Sequence, residues 1–182
     1  MFQILNNKHL LMAALAAALS LPALAAAPLQ SKHAALQCAD RRVELQADCF
    51  VYAGRTLACT RQSLRFSGEG GKTLGTRVFT PMPIEEGDDY PAIEEKVGAL
   101  SCIETKDKQQ FIVASMFNGG NCPQCEWTDV YSMDGALLGS TRDRSRKSPA
   151  LTAALEALRD KQIRRVLKQE PLTGFYQERT DR

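Results

Sequence analysis

Residues 97–142 most constrain what this chain can fold into, because that stretch alone carries four strand-like runs, their turns and a C-x-x-C. Residues 99–105 read as a strand, Lys106-Asp107-Lys108 as a polar turn, and residues 110–117 as a mostly apolar strand central in its sheet. Asn118-Gly119-Gly120-Asn121 breaks the run. Residues 126–132 alternate as a third strand, Asp134-Gly135 is a hairpin signal, and residues 136–140 return. The pattern predicts a four-stranded antiparallel meander.

Upstream, residues 43–47, 49–53 and 55–67 are rich in β-formers, with Gly54 as a turn signal between the last two. Residues 68–72 form a glycine-rich turn, residues 73–80 the return strand, and Pro81 and Pro83 end the ladder because proline cannot donate to it. An acidic excursion comes next. The segment from Phe50 can be laid over the segment from Phe111: each gives a strand, a cysteine-bearing loop, an alternating strand and a Leu-Gly return ending in Thr-Arg. If that overlay reflects a duplication, two similar four-stranded units pack together. The expected fold class is therefore mainly β (α+β): antiparallel meander sheets with one C-terminal amphipathic helix.

That helix is expected from a change of period after Arg142. Ser148 suits an N-cap and Pro149 the first helical position, and Leu151, Leu155, Leu158, Ile163, Val166 and Leu167 line one face, to about Lys168. The domain plan is a signal peptide over 1–25, a flexible lead-in over 26–37, and a disulfide-stabilised β domain over 38–142. A linker and helix over 143–170 and a polar tail over 171–182 complete it.

Lys8, the apolar run 10–21 and Ala23-Leu24-Ala25 have the order of a secretory signal, and the run is shorter than the roughly 20 residues of a membrane span. Of the 23 basic and 21 acidic residues, the leader takes one basic, Lys8. A near-neutral remainder argues against nucleic acid as a partner. The expected location is the periplasm, soluble after cleavage and not transmembrane, with oligomeric state left open.

Six cysteines, all beyond the leader, read as disulfides in an exported chain. Cys102 and Cys125 would lie two strand spacings apart in a meander, about 9.6 Å, beyond the ~7 Å limit for bridged Cα atoms. A tight hairpin around Gly54 places Cys49 opposite Cys59. The favoured set is Cys49 with Cys59, Cys122 with Cys125 and Cys38 with Cys102.

Cys122-Pro123-Gln124-Cys125 resembles the C-P-x-C of glutaredoxin-like and DsbA-like oxidoreductases. In those families the leading cysteine sits at a helix N-terminus, which stabilises its thiolate; here strand formers come after it. A zinc site would call for a second C-x-x-C, and none exists. The acidic residues 85–95 match no calcium-loop spacing. His9 falls in the leader and His33 in the lead-in, so no histidine-dependent triad can be drawn, and no metal or cofactor is expected. Trp127 and Tyr131, beside the loop ending at Asn121, are candidate binding residues, with core packing as the alternative. Residues 142–168 carry nine basic and three acidic side chains, suited to an anionic envelope component or an acidic envelope protein. The resulting expectation is an exported, non-catalytic binding or structural protein of the bacterial envelope. The alternative is a periplasmic thiol-disulfide oxidoreductase using Cys122 and Cys125 as its catalytic pair.

Overall fold

The computed structural model describes residues 26–53, 56–84, 86–122, 124–142 and 163–178. Nine strands form two antiparallel sheets: β1 (Gln30–Cys38), β2 (Arg41–Ala53), β3 (Thr56–Ser67) and β4 (Thr73–Phe79) in one, and five strands in the other. The second contains the expected meander, β5 (Lys96–Thr105), β6 (Gln110–Phe117), β7 (Glu126–Tyr131) and β8 (Leu137–Ser140). A fifth strand, β9 (Ile163–Pro171), pairs with the free side of β5.

Alternation explains how the sheets meet. Val43, Leu45, Leu64 and Phe66 of the first sheet face Leu100, Ile112, Ala114, Met116 and Tyr131 of the second, and together they form the main core. Each large side chain among them contributes about 2 kcal/mol by leaving water. Cys38, at the end of β1, is bridged to Cys102 in β5, so a covalent link joins the two sheets across that core. Closing a loop of 64 residues makes this bridge worth about 4 kcal/mol on the chain-entropy account.

The two sheets touch again at the β7–β8 turn. Gly135 takes φ +86 there, and its backbone lies so close to Phe66 that a Cβ would fall 2.5 Å from the ring. Arg41 in β2 pairs with Asp134 in the same turn at 3.3 Å.

Three expectations are corrected. Residues 26–37 are not wholly a lead-in, because Gln30–Cys38 is a strand: Ala34, Leu36 and Cys38 turn to the core while His33 and Gln37 turn out. His33 is therefore inside the folded unit, 3.6 Å from Glu44. The helical reading also fails over residues 163–168, which belong to β9; edge pairing with β5 outweighs their helical pattern. The rest of the expected helix, like the leader, lies outside the described residues. Nor is all of 171–182 a polar tail: Leu172 and Tyr176 are buried, the Val97 amide donates to the Tyr176 hydroxyl at 2.9 Å, and that hydroxyl donates to Gln62 at 2.7 Å. Among the described residues there is no α-helix, and no helix long and apolar enough to cross a membrane.

Candidate functional site

Cross-strand register writes two rows of side chains over the outer face of the first sheet. Ser31, Asp48 and Arg61 stand opposite one another on β1, β2 and β3, and His33, Gln46, Ser63 and Val78 form the next row on β1 to β4. They face away from the core because the even positions of β1 and the odd positions of β2 are taken by core residues. A register shift between Asp48 and Cys49 bends β2 beside them. The result is an open groove of about 580 Å³, floored by these rows and ending at Val78 and Pro81.

Asp48 is held in place. Ser31 Oγ–H donates to Asp48 Oδ1 at 2.7 Å, and Arg61 Nε pairs with Asp48 Oδ2 at 2.9 Å. Two rows from Asp48, Arg42 and Arg65 flank the Glu44 carboxylate, with Nε distances of 2.9 Å each. Hydrogen bonding from Arg65, reinforced by Arg42 against the effect of burial, holds the Glu44 carboxyl below its ordinary range. Arg61 remains largely exposed, and Val78 is 72% exposed. In the groove itself Asp48 and Arg61 are thus paired with each other, and Lys32 donates to the Gln177 carbonyl, while Gln46, His33 and the Val78 side chain stay accessible.

Disulfides stiffen the frame around the groove. Cys49 and Cys59 face each other on β2 and β3 with Cα atoms 3.8 Å apart, next to the bend that shapes the groove. All six cysteines are paired, and the partners are those that strand register and spacing favour: Cys38–Cys102, Cys49–Cys59 and Cys122–Cys125. Three bridges point to an oxidising, extracytoplasmic location.

Around the C-x-x-C, Cys122 is exposed and Cys125 is buried. The Cys125 amide donates to the Cys122 carbonyl at 2.9 Å, closing a turn, and β7 begins at the next residue. Gly120 lies against this bridge: a Cβ there would meet Cys125 Sγ at 2.4 Å. A strand rather than a helix leads away from the pair, so the dipole that depresses a leading thiol in redox C-x-x-C motifs is not supplied by β7.

Trp127 and Tyr131 belong to the main core, 6% and 1% exposed, and Asn121 alone of the three candidate binding residues is exposed. Asp129 sits between them on the same core-facing side, 1% exposed, and is paired with Arg77 reaching from β4; Arg77 also donates to the Tyr131 hydroxyl. Burial pushes the Tyr131 phenol up to about 12, the Arg77 charge opposing that rise. Arg142 stacks over Trp127 at 4.3 Å. In the acidic excursion, Asp89 accepts from the Ala27 amide, Glu94 from the Asn118 side chain, and Glu95 pairs with Arg77 and Arg142. Among the described residues no group of three or more His, Cys, Asp or Glu is arranged to hold a metal ion.

The sequence alone does not reveal the groove, because its first wall, β1, has the composition of a lead-in. The one local signal is short: Leu36 and Cys38 alternate about Gln37 just before the first cysteine of the domain closes the strand. No protein-family model, curated protein or solved structure matches the chain.

Proposed function

We propose that this is a periplasmic, non-catalytic binding protein of the bacterial envelope, and that its ligand lies in the groove on the outer face of the first sheet. One observation carries the reading: Asp48 is fixed by Ser31 and Arg61 on a disulfide-stiffened sheet, and it opens onto a concavity. Glycan, peptide and lipid fractions of envelope material, passed over immobilised protein, test it. One fraction should be retained by wild type and lost with the Asp48→Ala, Arg61→Ala double variant, whose melting temperature changes little. Equal retention by both proteins overturns the reading.

A second reading, thiol-disulfide exchange, draws on the exposure of Cys122. Against it stand the strand after Cys125 and the packing of Gly120 on the bridge, which both suit a fastener for residues 118–125.

A further inference from the structure

We infer that the groove takes a neutral, hydroxyl-rich glycan chain lying across the strands; the inference rests on the groove being the ligand site. The two rows run perpendicular to the strands and present a polar side chain on each of β1, β2 and β3, so contacts recur every ~4.8 Å. A linear oligosaccharide offers hydroxyl groups at a comparable repeat along its length. A ligand along the strands would instead meet alternating rows of differing chemistry.

The cations around the groove are already engaged. Arg61 pairs with Asp48, Arg42 and Arg65 share Glu44 beyond the groove, and Lys32 donates to the Gln177 carbonyl, so none of them is held ready for a phosphate or sulfate. Acceptor, donor and amphoteric groups are all present, in Asp48, Arg61, Gln46, His33 and Ser63, and a sugar hydroxyl both donates and accepts. Val78 closes the row with an exposed aliphatic surface, suited to the C–H face of a pyranose ring. Its exposure, the largest among the big apolar side chains described, is then explained by function.

The test is calorimetric titration of the folded, oxidised chain with a panel of neutral tetrasaccharides built from N-acetylglucosamine, β-glucose and α-glucose. A sulfated glycan and a neutral peptide serve as separate arms. At least one neutral tetrasaccharide should bind, with an affinity unchanged between low and high salt. Asp48→Ala should weaken that binding about tenfold or more, the loss of a hydrogen bond to a charged group. Val78→Lys, at an exposed position, should weaken it without altering the melt. Binding of none of the neutral sugars overturns the inference. Binding of the peptide alone, lost with Asp48→Ala, overturns the glycan while leaving the groove as the site. Binding of the sulfated chain alone, weakening with salt, overturns the neutral glycan.

Discussion

Arg77 and Arg142 hold the two oxygens of a single carboxylate, Glu95, at 3.2 and 3.1 Å. Each arginine comes from the last strand of a meander or just beyond it, and Glu95 ends the connector between the meanders. Each also lies over an aromatic ring, Arg77 over Phe79 and Arg142 over Trp127. The Thr-Arg sequence that closes both halves thus serves one junction, but the two arginines differ in weight, since Arg77 also meets the buried Asp129.

Replacing Arg77 by Met should destabilise the fold by about 3 kcal/mol, because it strands a buried carboxylate. Replacing Arg142 by Met should cost less than about 1 kcal/mol, its pair with Glu95 being open to water. Urea titrations of the two variants measure the difference. Equal losses would show that Asp129 does not depend on Arg77.

Gly135 and Gly70 both have positive φ, but of the two Gly135 is crowded, whereas nothing lies within 4 Å of a Cβ built at Gly70. Gly70→Ala should therefore cost about 1 kcal/mol from backbone strain alone. Gly135→Ala should cost about 3 kcal/mol, adding displacement of Phe66. Thermal melts of both should show this order, and a reversed order would contradict the contact between the β7–β8 turn and the first sheet.

Glu44 titrates lower in the folded chain than in the unfolded one, so its contribution to stability is present above the unfolded carboxylate pKa. That contribution is lost as the pH falls through the lower folded value. Wild type should exceed Glu44→Gln in stability at neutral pH, with the gap closing in acid. A gap independent of pH would remove the arginine pairs from the stability of the first sheet.

The Cys122–Cys125 bridge should behave as a fastener. Its reduction potential, measured against a glutathione or dithiothreitol buffer, is expected below about −300 mV. A value between about −120 and −230 mV would support exchange chemistry. Cys122→Ser with Cys125→Ser should loosen residues 118–125 and leave binding in the groove unchanged.

Local signals made much of this fold readable. β6 spans the apolar run 110–117, the Asp134-Gly135 turn stands between β7 and β8, and Cys49 faces Cys59 because a short hairpin fixes its own register. Non-local pairing hid the rest. β9 carries a helical spacing of apolar residues, and the free side of β5, distant in sequence, makes it a strand. The groove was hidden for the same reason: Ser31, Asp48 and Arg61 are ordinary polar residues until three strands align them.

The most direct test of the proposed ligand site is an amide-shift map of the isotopically labelled, oxidised chain titrated with envelope fractions. The groove predicts shifts concentrated at Ser31, Gln46, Asp48, Arg61 and Ser63 and abolished by Asp48→Ala. Shifts centred on Asn121 and Cys122, with the first sheet silent, would contradict it and return the function to the C-x-x-C loop.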